Sequence, residues 1–157
     1  MSEGWQPRTL GEYLAAQVTA QPEAEALVTP GARLTWRALS ARAHAAAGGL
    51  RAMGIAKGDH VAILMPNGED WITLFYGAAL LGAVTVPVNT RFKAAELAYC
   101  LRQSDCKALF HAESFLKNDY VAMVREARAE CPKLAHVATR VPAAPFEGDE
   151  GPTPQDL

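Results

Sequence analysis

Asn89, Arg91 and Lys93 stand at alternating positions directly after the apolar run Val84 to Val88. Of the polar side chains in the sequence they are the best suited to hold an anion. A guanidinium gives two parallel hydrogen bonds to a phosphate or carboxylate, and an ammonium adds a point charge. Arg91 would equally suit an ion pair with a neighbouring carboxylate or a bond to helix-end carbonyls, and spacing alone leaves both readings open. The other chemistry-bearing residues have simpler explanations. Asn67 follows Pro66 and suits a turn that caps the next helix. His111 has no nucleophile or metal partner at recognisable spacing and reads as structural. Glu69 and Asp70 open a helix, where the amide dipole favours acids without any catalytic duty. Cys100, Cys106 and Cys131 are odd in number and lack Cys-x-x-Cys spacing, which points to buried reduced thiols instead of a disulfide framework or zinc site. No catalytic residue and no metal-ligand set is recognisable. Gly48-Gly49, Gly54 and Gly58 precede a strand, whereas a phosphate cradle follows a strand and opens a helix, so they read as turns and helix ends.

The elements that must position these residues are legible in the spacing. Thr9 and Glu12 form a capping box that starts a helix at Leu10, running to about Gln21 before Pro22. Ala26–Thr29 and Arg33–Thr35 flank Pro30-Gly31, a hairpin signal. Thr35 caps a longer helix with an apolar stripe of Trp36, Leu39, Ala43, Ala46, Leu50 and Met53, ended by Gly54 in a left-handed conformation. From His60 onward, short apolar runs alternate with amphipathic segments, the pattern of a parallel sheet with crossover helices. Strands are predicted at His60–Met65, Val84–Val88, Ala108–His111 and Leu134–Ala138. Helices are predicted at Glu69–Leu81, with Ile72, Phe75, Tyr76 and Ala79 inward, and at Ala94–Gln103 and Phe115–Glu130. Pro87 must end its strand or lie where its missing amide is not needed. Strands near Val61, Val86, Leu109 and Val137 should therefore form one mainly parallel sheet with helices on both faces. Its carboxyl edge would gather the loops Pro66–Glu69, Asn89–Lys93 and His111–Ser114.

The 157 residues suit one domain able to bury a core. A formal net charge of -2, with 50% hydrophobic and 20% charged residues, gives no field that would collect nucleic acid. Gly77 to Val88, interrupted by Pro87, falls short of the ~20 residues that span a bilayer. The start, MSEGWQPRTL, has neither a secretory nor a transit pattern, so a cytoplasmic protein is expected. After Arg140 the composition turns proline-rich and acidic, which divides the chain into an α/β subdomain at 1–139 and a linker at 140–157.

Several phrases occur in a telling order: Leu34-Thr35-Trp36-Arg37-Ala38-Leu39, then Leu50 to Gly54, then Gly58 to Asn67. Leu81 to Val84, Pro87 to Arg91, Ala95 to Tyr99 and Ser104-Asp105 follow. Together they resemble the AMP-forming acyl-CoA synthetases of the adenylate-forming ligase superfamily, from Thr9 to about Thr139. Asn89-x-Arg91 is more like those enzymes than like amino-acid-activating domains, which tend to have an acidic residue at that position. The resemblance implies the first half of a large N-terminal α/β domain. It also implies a reaction in which ATP, magnesium and a fatty or related carboxylic acid give an acyl-adenylate and pyrophosphate, and coenzyme A then accepts the acyl group. Arg91 matches an arginine that can lie near the phosphates of coenzyme A. The family's phosphate loop would follow Leu157, with Pro152 to Leu157 as its run-up. On this reading the 157 residues alone should be inactive, hold no cofactor tightly, and self-associate through uncovered sheet surface. The alternative is a stand-alone α/β interaction or nucleotide-binding module.

Overall fold

In a computed structural model of the chain, residues 8–147 are described. The segment 148–157, including the expected run-up to a phosphate loop, lies outside them. Helix α1 (Leu10–Ala20) begins with the expected capping box: Thr9 Oγ1 accepts from the Glu12 amide at 3.1 Å, and the Glu12 carboxylate accepts from the Thr9 amide at 2.7 Å. Strands β1 (Glu25–Thr29) and β2 (Ala32–Thr35) pair antiparallel around Pro30-Gly31. Thr35 caps α2 (Trp36–Ala52), and Gly54 beyond it takes φ +80°. There follow β3 (His60–Leu64), α3 (Glu69–Leu81), β4 (Val84–Pro87), α4 (Ala94–Gln103) and β5 (Ala108–His111). A two-residue-stranded hairpin, β6 (Ser114–Phe115) and β7 (Asn118–Asp119), leads into α5 (Tyr120–Arg128) and β8 (His136–Ala138).

The four central strands form one parallel sheet in the order β4-β3-β5-β8, as the β/α alternation predicts. Side chains alternate between two cores. Ala62, Leu64 and Leu109 meet Leu97, Leu101, Tyr120 and Val124 from α4 and α5 on one face. Val61, Ile63 and Phe110 meet Leu50, Leu74 and Ala78 from α2 and α3 on the other. Helices of the chain itself thus pack on both faces among the described residues, while Val84 of the outer strand β4 stays 46% exposed. Val84 and Val88 donate to the Asp59 and Ile63 carbonyls, so the intervening odd-numbered positions of β4 face away from β3. Pro87 is one of them, and its missing amide leaves the ladder intact.

Four local expectations fail, each for a packing reason. The buried face of α3 is Thr73, Leu74, Gly77, Ala78 and Leu81, whereas of the expected Ile72, Phe75, Tyr76 and Ala79 all are half-buried and only Ile72 and Tyr76 pack against a core, that of Leu14 and Leu39. A Cβ on Gly77 would lie 2.8 Å from the Ala46 methyl and 3.2 Å from the Ala43 carbonyl oxygen, so glycine lets α2 and α3 touch along their backbones. Gly48 and Gly49 lie inside α2, not at its end. The irregular chain after Arg140 runs across them: Ala144 donates its amide to the Ala45 carbonyl at 3.0 Å, while Val141 and Phe146 join the second core. The segment expected to bury little is therefore docked up to residue 147. Finally, the predicted helix from Phe115 starts only at Tyr120, because Asp119 caps it by accepting from the Ala122 amide at 3.0 Å. The residues before it turn back as the β6–β7 hairpin, with Leu116 at φ +54°.

Candidate functional site

The parallel order brings the carboxyl ends of β3, β4, β5 and β8 to one edge, where ligands of open α/β sheets bind. A cleft of about 390 Å³ opens there, lined by Gly31, Pro66, Asn67, Gly68, Ala112 and Thr139 among others. The hairpin tip, the turn into α3 and the ends of β5 and β8 therefore converge. Asn67 does not cap α3, contrary to the sequence reading. The N-cap is Gly68 in extended backbone with no side-chain cap bond, and Asn67 is exposed. Glu69 is held by an ion pair with Arg42 of α2, so its carboxylate serves helix packing.

The loop after β4 is built by short-range bonds. Asn89 Oδ1 accepts from the Arg91 amide at 2.9 Å, folding the backbone into an Asx turn that presents Arg91 outward. The guanidinium of Arg91 is exposed and has no partner among the described residues. Among the described residues no neighbouring carboxylate or helix-end carbonyl takes it. Lys93 behaves differently, with Nζ donating to Asn118 Oδ1 at 2.5 Å. Asn118 Nδ2 and the Tyr120 hydroxyl both donate to the Thr90 carbonyl, at 3.3 Å and 2.7 Å. Burial raises the Tyr120 phenol above its ordinary pKa while the Thr90 bond opposes this, so it remains a neutral donor. The loop is thus tied down at Thr90 and Lys93 and free at Arg91. Asn118 and Tyr120 are positioning residues that the sequence reading placed inside a helix. The Asn118-Asp119 pair, a favoured cap sequence, was the available signal for the true helix start.

His111 is buried, and its Nδ1 bonds the Ala112 carbonyl at 2.8 Å, holding the ring in place. Burial pushes the Cys106 thiol up to about 11 and raises Cys100 and Cys131 as well, which keeps all three protonated and weakly nucleophilic. Among the described residues no three His, Cys, Asp or Glu side chains converge as a metal site.

A family model described as "AMP-binding enzyme" matches residues 14–156. The long-chain-fatty-acid–CoA ligase FadD13 of Mycobacterium tuberculosis is 43% identical over 106 residues, covering 66% of this chain and 21% of that protein. The human medium-chain acyl-CoA ligase ACSF2, mitochondrial, is 33% identical over 129 residues, covering 81% of this chain and 20% of that protein. The chain therefore spans about a fifth of the length of the curated relatives it matches. Among solved structures, the N-terminal domain of FACL13 from Mycobacterium tuberculosis superimposes with a TM-score of 0.77 at 32% identity, covering 91% of this chain and 40% of that one.

Proposed function

The chain belongs to the AMP-binding enzyme family, and from that premise we propose that it supplies the N-terminal α/β part of an AMP-forming acyl-CoA ligase. The observation that carries this is the match over residues 14–156 together with relatives named as acyl-CoA ligases. The complete ligase joins a carboxylic acid to ATP with release of pyrophosphate, magnesium attending the phosphates, and then transfers the acyl group to the thiol of coenzyme A. A cytoplasmic setting, where ATP and reduced coenzyme A are both present, belongs to the same reading.

Within that reaction the described residues bind and position. Arg91 contacts a phosphate of coenzyme A: its guanidinium is permanently charged, exposed and without an internal partner, and it stands at the carboxyl edge of the sheet. Thr90, held by Asn118 and Tyr120, fixes the loop from which Arg91 projects. Expression of the complete reading frame tests the proposal. Pyrophosphate exchange into ATP that depends on a carboxylic acid, followed by coenzyme A acylation, is expected, and exchange dependent on an amino acid with no use of coenzyme A would overturn it.

A further inference from the structure

A second cleft, of about 400 Å³, lies away from Arg91, between α5 and the outer strand β8. Its floor is apolar, formed by Val124 and Val137, with Val121 at the rim. Two guanidiniums, Arg125 and Arg128, stand one helical turn apart on the same wall. Neither has an ion-pair or hydrogen-bond partner among the described residues, whereas Glu130, two residues beyond the helix, is already taken by Arg102. His111 also lines this cleft. It is only 4% exposed and its Nδ1 is committed to the Ala112 carbonyl, which leaves Nε2 with no protein partner. Two exposed guanidiniums with no protein partner thus stand beside an apolar floor, so charge and apolar contact are both available to one ligand.

We propose that this cleft binds a small amphiphilic oxyanion, a carboxylate or phosphate monoester carrying a short hydrocarbon body. The oxyanion accepts from Arg125 and Arg128, and the bound molecule lies beside the His111 ring. The hydrocarbon body covers Val124 and Val137. An inorganic anion would make no use of the valine floor, and an apolar molecule would make no use of the guanidiniums. The inference rests on this cleft and not on the ligase reading.

The 157-residue chain is titrated with octanoate, octyl phosphate, inorganic phosphate and octanol, following heat and the ¹⁵N shifts of the His111 ring. The two amphiphilic anions are expected to bind and move the Nε2 resonance, and their relative affinity says whether carboxylate or phosphate is preferred. Arg125→Gln with Arg128→Gln, both exposed and away from either core, is expected to weaken that binding at least about tenfold with unchanged circular dichroism. Should that variant fail to fold, the His111 shift in the unsubstituted chain decides alone. An unmoved His111 resonance, equal binding of octanol or of inorganic phosphate, or unchanged affinity in a folded double variant would overturn the proposal.

Discussion

Gly49 of α2 and Pro142 are in backbone contact: a Cβ on Gly49 would lie 2.5 Å from the Pro142 carbonyl carbon and 2.6 Å from the Ala143 nitrogen. The segment after Arg140 is clamped just beyond this point, where the Phe146 ring lies 4.7 Å from the Arg51 guanidinium and edge-on to His44. Arg51 also donates to the Glu147 carbonyl at 3.0 Å. In an unobstructed helix, alanine is better than glycine by roughly 0.8–1 kcal/mol. Gly49→Ala should nevertheless destabilise the chain by about 1–3 kcal/mol, because the new methyl pushes the segment off α2. The sign should reverse in a chain ending at Arg140. Urea melts of both backgrounds check this, and stabilisation by Gly49→Ala in the longer chain would refute the contact.

Asp59 and Lys107 give a pH prediction. Burial raises the Asp59 carboxyl, but the Lys107 ammonium at 2.7 Å and the Ala56 amide more than offset it, and the net shift is downward from 3.8. A depressed carboxyl stabilises the fold fully above its unfolded value and loses that contribution as pH falls through the lower folded value. Stability should therefore decline below about pH 4, and Asp59→Asn should flatten part of that decline while costing about 1 kcal/mol at neutral pH. Thermal melts between pH 2 and 7 measure both. An equal slope in the variant would mean that other carboxylates carry the acid sensitivity.

Leu116 sits at φ +54° in the β6–β7 turn with 71% of its surface exposed. A left-handed backbone is unfavourable for a side chain of this kind by roughly 1–2 kcal/mol, partly balanced by the greater freedom glycine has in the unfolded chain. Leu116→Gly should stabilise the chain by up to about 1 kcal/mol, seen as a higher melting temperature. A lower one would show that Leu116 packs against something in solution.

In the complete enzyme, Arg91→Ala should weaken coenzyme A by about 1.5–3 kcal/mol while leaving pyrophosphate exchange nearly intact. Lys93→Ala acts differently: it frees Asn118 and loosens the loop, so it should lower coenzyme A affinity less and raise local hydrogen exchange at residues 89–93. Impaired exchange of pyrophosphate with an unchanged coenzyme A Michaelis constant would assign Arg91 to folding or adenylation.

The parts of the fold set by local chemistry were legible from the residues. Thr9 with Glu12, Pro30-Gly31 and Gly54 each dictate a cap or turn through atoms no more than a few residues apart, and each falls where expected. Misread positions depend on partners distant in the chain. Gly48 and Gly49 mimic a helix end until residues 142–145 are laid against them, and Gly77 mimics a gap in an apolar stripe until α2 is placed. Leu116 hides a turn because leucine is a poor left-handed residue, so the sequence there carries a helical signal that Asp119 overrides. At the candidate site, spacing put Arg91 and Lys93 together. It could not show that Lys93 is spent on Asn118, 25 residues away, while Arg91 is not.

Pro87 gives the sheet a direction of growth. On the outer border of β4 the amides that could receive another strand belong to Thr85 and Pro87, and proline has none to offer. A strand approaching that border would find a broken row of donors, so recruitment of a foreign chain there is discouraged. On the opposite border β8 carries no proline, and the Val137 amide remains available. Any enlargement of this sheet, by the same polypeptide or another, is therefore steered to the β8 side, and a single imino acid sets the polarity of assembly.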